Sequence, residues 1–167
     1  MLDGRYRLTR AEVVNARTCL DKSVHVASIW FAVAMEATKL AALPLFSALP
    51  SADLEHVAAA VRELDAPPGS EIVSEGDFGH ALYVIESGSA EVVRGGNVIA
   101  TLGPGDVFGE IAVSASGRRV ATVRARSQMR LAMLFSRDLW RLEKEHPEIA
   151  ASLRRGIDQR LAELDSR

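Results

Sequence analysis

The segment from Gly103 to Arg124 contains residues whose types and spacing could bind an anion. A short helix is predicted to begin at Gly109-Glu110. A glycine there lets an anion approach the backbone N–H groups, and the helix dipole favours negative charge at that end. Arg119 follows Glu110 by nine residues, so its guanidinium can fold back towards the same N–H groups. One arginine, one carboxylate and several amides suit a ligand with a phosphate and a neighbouring hydroxyl.

Two runs in this segment resemble the phosphate-binding cassette of cyclic nucleotide-binding domains. They are Phe-Gly-Glu-Ile-Ala at 108–112 and Arg-Val-Ala-Thr at 119–122, and their separation also fits that family. The resemblance extends over roughly residues 45–163. Arg118 stands where many members have proline, but several channel-type members carry a Gly-Arg-Arg run here. The cassette is therefore identified as that of a cyclic nucleotide-binding domain.

The resemblance implies a role for each cassette residue. Arg119 would bind the non-bridging oxygens of the cyclic phosphate, and Glu110 would accept a hydrogen bond from the ribose 2′-hydroxyl. An acidic residue in a first helical turn could instead simply complement the helix dipole. Thr122 could equally be an ordinary β-branched strand residue. The remaining phosphate contacts, mostly from backbone amides, are expected from Gly109, Ile111, Ala112, Ala121 and Thr122.

The base contacts are also inferred from the resemblance. Members that prefer cyclic GMP often have a hydroxyl residue directly after the phosphate arginine, whereas Val120 has none, so cyclic AMP is the favoured ligand and cyclic GMP stays open. Arg160 matches the lid arginine of several channel-type domains, with Ile157 or Leu161 as the apolar alternative and a plain surface arginine as the other interpretation. The apolar slot for the purine would use Val92, Ala100 and Leu102, any of which could be plain core.

The elements that must position these residues follow from the glycine pattern. Ten of the twelve glycines fall between Gly69 and Gly117 and separate short apolar runs at intervals of roughly ten residues, which is typical of an all-β sandwich or barrel. We predict an α+β fold, an eight-stranded jelly-roll-like β-roll with N-terminal helices and two C-terminal helices. The predicted strands are Glu63–Ala66, Glu71–Ser74, Ala81–Glu86, Ala90–Arg94, Val98–Leu102, Val107–Phe108, Val120–Arg126 and Met129–Phe135.

Helical spacing and caps predict the flanking helices. Helices are expected from Thr9 to about Leu20, from Asp21 or Ser23 to about Leu43, from Ser51 to about Val61, from Ser136 to about His146, and from Pro147 onwards. Thr9, Ser51 and Ser136 are predicted caps, and Gly156 is predicted to be a weak point of the last helix. We divide the chain into an N-terminal helical segment, 1–44, and a cyclic nucleotide-binding domain, 45–167, with the β-roll at about 62–135 and lid helices at 136–165.

Composition and missing motifs exclude several function classes. The 167 residues suit one domain plus extra helices, and a net charge of −2 argues against nucleic acid as a partner. Val24–Met35 is uncharged for 12 residues, short of the roughly 20 that span a membrane. With a single cysteine, Cys19, and no signal peptide, we expect the cytoplasm or the cytoplasmic face of a membrane protein. Neither a catalytic motif nor metal-ligand spacing of the histidines is found, so no enzyme, metal or cofactor is expected; the histidines are His25, His56, His80 and His146.

These observations predict a regulatory module that binds a cyclic nucleotide, cyclic AMP in preference, and transmits binding through movement of its flanking helices. The apolar helix predicted at 24–43 would either pack on its own domain or contact a membrane protein or a second copy, as in a channel or transporter sensor. The alternative is a structural or interaction domain that keeps the roll but binds no ligand. Because both Arg119 and Glu110 are present, the binding interpretation is preferred.

Overall fold

The computed structural model describes residues 33–109 and 118–165. Four helices are described: α1 (Ala37–Ala41), α2 (Ser51–Ala60), α3 (Ser136–Glu145) and α4 (Pro147–Asp165). The strands, in chain order, are β1 (Val33–Ala34), β2 (Val61–Ala66), β3 (Glu71–Val73), β4 (Ala81–Ser87), β5 (Ala90–Arg94), β6 (Asn97–Leu102), β7 (Val107–Phe108), β8 (Thr122–Ala125) and β9 (Met129–Phe135).

The strands form two antiparallel sheets. The five-stranded sheet has the order β1-β2-β9-β4-β7, and the four-stranded sheet has the order β3-β8-β5-β6. Connections from one sheet to the other are made by turns in which glycine adopts a positive φ, as at Gly69, Gly76 and Gly88. The predicted α+β fold, a β-roll with helices before and after it in the chain, is confirmed by this architecture.

Strands β4 and β9 are apolar at nearly every position because the five-stranded sheet is covered on both faces. Alternate side chains of a strand point to opposite faces. Leu82 and Val84 of β4 pack with the helices, whereas Tyr83 and Ile85 pack between the two sheets. The domain is thus built in three layers, with the helices on one side of the five-stranded sheet and the four-stranded sheet on the other.

The outer face of the four-stranded sheet carries a cluster of charged side chains on β3, β8 and β5. Arg124 of β8 lies between two carboxylates of neighbouring strands, 3.0 Å from Glu71 and 3.4 Å from Glu91. The inner face carries Ala90, Val123 and Ala125, which are buried against the other sheet. Hydrophobic side chains alternate with charged ones on these strands because only one face is covered.

The eight predicted strands are all present, with ends that shift by one or two residues. The strand predicted as Val120–Arg126 is the most shortened: it begins at Thr122 and ends at Ala125. Val120 lies before it in a bend and is exposed. The structure adds a two-residue strand, β1, in which Val33 pairs with Glu63 and Ala34 pairs with Arg62.

The prediction of one continuous helix from Asp21 or Ser23 to Leu43 is wrong in the part that the structure describes. Val33–Ala34 is a strand, and α1 covers only Ala37–Ala41. The edge of β2 offers backbone partners to Val33 and Ala34, and this tertiary pairing outweighs the helical spacing of the apolar residues. The predicted helix Thr9–Leu20 lies outside the described residues. Within the described ranges no helix is long and apolar enough to cross a membrane.

The predicted caps and the predicted weak point also need correction. The helices α2 and α3 start at Ser51 and Ser136, but neither serine caps its helix through the side chain, and the Oγ of Ser136 donates to the carbonyl of His80 instead. Helix α4 runs without interruption through Gly156. A Cβ at Gly156 would lie 2.9 Å from Cδ1 of Leu45. This glycine therefore allows α4 to approach the connector, the segment 42–50 between α1 and α2, closely.

The core continues across the domain boundary predicted at residues 44 and 45. Leu40 and Leu43 before the boundary share one hydrophobic cluster with Leu45 and Phe46 after it. The same cluster includes Leu153 of α4. Several residues between 35 and 49 therefore form part of the helical layer of the domain.

Candidate functional site

Arg119 is the most unusual polar residue of the predicted cassette because its side chain is buried. It retains 5% of its accessible surface. Its Nη1 donates to the carbonyl oxygen of Gly109 at 2.8 Å, and its Nη2 donates to the carbonyl oxygen of Ala81 at 3.0 Å. A buried guanidinium suits a site for an anion, because burial lowers the screening by water of any charge that approaches.

The backbone of Arg119 is fixed as firmly as its side chain. Its N–H donates to the carbonyl of Asp77 at 2.7 Å, and its carbonyl accepts from the N–H of Gly76 at 2.8 Å. The preceding residue, Arg118, is exposed and lies across the ring of Phe78, with the guanidinium carbon 4.2 Å from the ring centroid. The two arginines therefore differ: Arg119 points into the protein, and Arg118 lies on the surface.

Gly109 is required at its position for two separate reasons. Its φ is +86°, a region that residues with a side chain rarely adopt. A Cβ built there would lie 2.5 Å from Nη1 of Arg119 and 2.8 Å from the carbonyl oxygen of Ala81. Any side chain at Gly109 would therefore occupy the space that the guanidinium now fills.

An aromatic pair supports the arginine from the core. Tyr83 and Phe108 are directly paired across β4 and β7, and their rings stack with centroids 5.0 Å apart. The guanidinium carbon of Arg119 lies 5.7 Å from the centroid of the Tyr83 ring, within the range of a cation–π contact. Sequence reasoning did not single out Tyr83. The signal that could have identified it is an aromatic residue on β4, the strand that pairs with β7 just before Gly109.

A second set of bonds joins the loops around the cassette. The side-chain oxygen of Thr122 accepts from the N–H of Glu75 at 3.0 Å, and the Glu75 carboxylate accepts from the N–H of Gly95 at 2.9 Å. Arg94 donates from Nε to the carbonyl of Val120 at 3.1 Å. These bonds connect the tip of the β5–β6 hairpin to the two residues on either side of the buried Ala121. Glu75 and Arg94 carried no signal in the sequence.

The bond to Glu75 gives Thr122 a structural role in addition to its predicted role at the phosphate. Ala121, which was expected to present its backbone amide, is buried between Val120 and Thr122. Glu110, Ile111 and Ala112, the remaining residues of the predicted cap, lie outside the described residues. Their predicted roles at ribose and phosphate stay predictions.

The residues predicted to line the base slot lie on one face of the four-stranded sheet. Val92 and Ala100 are directly paired across β5 and β6, and Leu102 follows on the same face. Leu102 is buried between the sheets, Val92 is half-buried, and Ala100 is exposed. The inner face of the sheet is thus covered at Leu102 and exposed at Ala100. An apolar ligand could therefore pack against the exposed part of this face.

Two further residues of the predicted base contact lie apart from this face. Val120 follows Arg119 directly and is 41% exposed. Arg160 lies on α4, where Nη1 donates to the carboxylate of Glu163 at 2.8 Å on the same helix. Ile157, one of its alternatives, is buried in the helical core. The role of Arg160 as a lid residue is not tested by this arrangement and stays a prediction.

The described ranges, 33–109 and 118–165, contain no group of three or more metal-ligating side chains. The histidines were expected to be scattered, yet the fold brings two of them together. The rings of His56 and His146 have centroids 4.3 Å apart. This contact joins α2 to the junction between α3 and α4.

Comparison with known proteins identifies the family. The model of the cyclic nucleotide-binding domain matches residues 63–146, a segment that begins within β2 and ends directly after α3. This match covers half of the chain. The chain belongs to the cyclic nucleotide-binding domain family.

Three similar proteins illustrate the range of this family. A cAMP-dependent protein kinase regulatory subunit of Yarrowia lipolytica is 39% identical over 94 residues, which cover 55% of this chain and 25% of that protein. A cyclic nucleotide-gated potassium channel of Rhizobium etli is 34% identical over 70% of this chain and 32% of the channel. The crystal structure of the Thermus thermophilus catabolite activator protein is 33% identical with a TM-score of 0.62, over 73% of this chain and 60% of that one.

The chain therefore spans only about a quarter to a third of the kinase subunit and the channel. The three names describe a regulatory subunit, a channel and an activator, so members of similar sequence work in different assemblies. What is common to them is a cyclic nucleotide-binding domain with a regulatory or sensory part in a larger protein.

Proposed function

We propose that this chain is a regulatory module that binds cyclic AMP in the β-roll and transmits the binding through α3 and α4. The observation that carries the proposal is the buried guanidinium of Arg119, held against Gly109 in the cassette. A cyclic phosphate carries one negative charge on two non-bridging oxygens, and a guanidinium can donate two parallel hydrogen bonds to such a pair. Backbone amides of Gly109, Ile111, Ala112 and Ala121, with Thr122, complete the phosphate contacts in this proposal.

The base and the ribose are assigned to neighbouring positions. The open end of the inner sheet face at Val92 and Ala100 suits a flat apolar ring, because the purine would cover the surface that the strands leave exposed. Glu110 is assigned to the ribose 2′-hydroxyl. Val120 has no hydroxyl with which to bind the amino group of guanine, and this supports cyclic AMP as the preferred ligand.

Transmission is assigned to the C-terminal helices because of what they contact. Helix α4 packs against β7, the strand that leads into Gly109, and Gly156 of α4 lies on Leu45 of the connector. A ligand that changes the position of Gly109 can therefore shift α4, provided that the ligand has different affinities for the two positions. A movement of α4 would carry Arg160 towards or away from the base.

The wider role that we propose is a sensor domain for a channel or transporter. The 34% identity with the Rhizobium etli channel and the Gly-Arg-Arg run that ends at Arg119 support this assignment. The residues before Val33 would then supply the contact with the membrane protein or with a second copy. The location implied is the cytoplasmic face of a membrane. Neither a cofactor nor catalysis is part of the proposed function.

The test is calorimetric titration of the full chain with cyclic AMP and cyclic GMP. We expect saturable binding with cyclic AMP tighter than cyclic GMP, and a loss of at least about 100-fold in Arg119→Ala, because charge-assisted bonds at a buried cation are worth several kcal/mol. The matched control is Arg118→Ala, which removes the same charge at the adjacent exposed position and should bind as wild type does.

Three outcomes would contradict parts of the proposal. Equal affinity of Arg119→Ala and wild type would overturn the phosphate site. Tighter binding of cyclic GMP would overturn the assignment of the base. No binding of either nucleotide by a folded wild-type chain would favour a structural or interaction domain that keeps the roll.

A further inference from the structure

The contact between His56 and His146 brings together two imidazoles that are ninety residues apart in the chain. Their ring centroids are 4.3 Å apart and their planes are tilted by 53°. His56 lies on α2 and is exposed, whereas His146 follows α3 directly and is half-buried. Neither residue belongs to the cassette or to the sheet face proposed for the base.

The hydrogen bond of His56 determines which of its ring nitrogens is available. Its Nδ1 lies 2.9 Å from the carbonyl oxygen of Ala52. A carbonyl oxygen can only accept, so Nδ1 carries the proton and Nε2 of the neutral ring carries the lone pair. An Nδ1–H donated to a backbone carbonyl is also the arrangement that orients histidines that bind metals.

His146 is held in place by its backbone. Its N–H donates to the carbonyl of Leu142 at 2.7 Å, and its carbonyl accepts from the N–H of Ala150 at 3.1 Å. Within residues 33–109 and 118–165, its ring nitrogens form no hydrogen bond, so they are available to a ligand. The imidazole lies between the last turn of α3 and the first turn of α4.

We propose that His56 and His146 together bind one transition-metal ion of the Zn²⁺ or Cu²⁺ class. Imidazole nitrogens bind such ions at about 2.0–2.1 Å, so two nitrogens on one ion are at most roughly 4 Å apart, a span that two adjacent rings can supply. Mg²⁺ and Ca²⁺ are disfavoured because they select oxygen ligands. With two protein ligands, water completes the coordination, and the ion exchanges with solvent.

An ion in this position would join α2 to the junction of α3 and α4. These elements also pack through the helical core, where Leu54 and Val57 of α2 share a cluster with Leu142 and Ile149. The ion would add a cross-link at the solvent edge of that cluster. Because it binds the folded arrangement of the two rings, it should stabilise the folded state.

The experiment is a calorimetric titration of the tag-free full chain with ZnCl₂ in the absence of nucleotide, with MgCl₂ as the control ion. We expect one saturable Zn²⁺ site that is weakened at least ten-fold in His56→Gln and equally in His146→Gln. The double variant should bind Zn²⁺ no more tightly than either single variant. The matched controls are His80→Gln and His25→Gln, which should bind Zn²⁺ as wild type does.

A second measurement on wild type does not depend on the folding of any variant. In the EPR spectrum of the Cu²⁺-loaded protein, hyperfine structure from two imidazole nitrogens supports the paired site, and structure from one or none overturns it. Absence of Zn²⁺ binding, or wild-type affinity in both His56→Gln and His146→Gln, also overturns it. Since no cyclic nucleotide is present, these results are independent of the titration with cyclic AMP.

Discussion

Arg119 is held in its buried position by contacts within the protein. Two carbonyls accept from its guanidinium, and two backbone bonds fix its main chain between Gly76 and Asp77. A binding group that is already ordered loses little conformational entropy when the ligand arrives. The same contacts make Arg119 part of the fold, so a comparison of Arg119→Ala with wild type should include the free energy of unfolding.

Gly109→Ala is the sharpest test of this arrangement at the scale of one residue. The positive φ alone should cost about 1–2 kcal/mol of unfolding free energy, and the overlap with Arg119 and Ala81 should add about 1–3 kcal/mol. Urea unfolding measures the loss of stability, and calorimetry should show that the affinity for cyclic AMP falls with it.

The matched control is Gly96→Ala. Gly96 has a similar φ, +83°, but a Cβ there would meet nothing within 4 Å. This variant should lose only the unfolding free energy that the strained backbone conformation costs, and it should keep its affinity for cyclic AMP. Equal losses of stability in the two variants would show that the space beside Arg119 is not restricted as described.

At the scale of elements, the contact of α4 with the connector depends on Gly156. Alanine at this position should stabilise an isolated helix by about 1 kcal/mol. In the folded chain its Cβ would lie 2.9 Å from Cδ1 of the buried Leu45, so the gain should be cancelled or reversed. In a Leu45→Ala background, where the space is open, Gly156→Ala should recover most of that gain.

The measurement is a double-mutant cycle of unfolding free energies. Leu45→Ala alone should cost about 2–5 kcal/mol, as expected for a truncated core leucine. The effect of Gly156→Ala should be more favourable in that background than in wild type. An equal effect in the two backgrounds would mean that Leu45 does not restrict the space for a side chain at position 156.

The ion pair between α1 and β2 predicts a dependence on alkaline pH. Lys39 donates to Glu63 at 2.9 Å, and this hydrogen bond, helped by the charge of Glu63, raises the pKa of Lys39 above its ordinary 10.5. A raised pKa means that the contribution of the pair is complete below 10.5 and disappears as the pH rises through the folded value. The pair is partly exposed, so its contribution should be small.

Urea midpoints of wild type and Lys39→Met, measured from about pH 9 to about pH 11.5, check this expectation. The difference between the two proteins should shrink as the pH rises above the ordinary value of 10.5. Lys144→Met, which removes an exposed lysine at the end of α3, is the control and should show no such change. A difference that stays constant over the whole range would contradict the assignment.

At the scale of the whole molecule, the parts that could be predicted are those that depend on local sequence. The strands between Val61 and Phe135 were found because glycines separate β-branched runs, and Arg119 was found because it stands in a recognisable cassette. Side chains of β4 and β9 point alternately towards the helices and towards the other sheet. Their continuous apolar runs indicate burial on both faces, but the runs do not identify the elements that cover each face.

The parts that were missed depend on contacts between distant residues. Val33–Ala34 becomes a strand only because β2 lies beside it, about thirty residues later in the chain. Gly156 was predicted to be a defect of α4 because its partner, Leu45, is on another element. The pair His56 and His146 was overlooked for the same reason, since spacing along the chain does not report proximity in a fold.

The order of the five-stranded sheet matters to anyone who would build a biosensor on this domain. β1 and β7 are its two edges, separated by four strand spacings, or about 19 Å. A fluorescent protein joined upstream of Val33 would therefore enter at the edge farthest from the strand that leads to Gly109. One joined after α4 would follow the helix that contacts β7, so the C-terminal fusion should give the larger signal change on ligand binding.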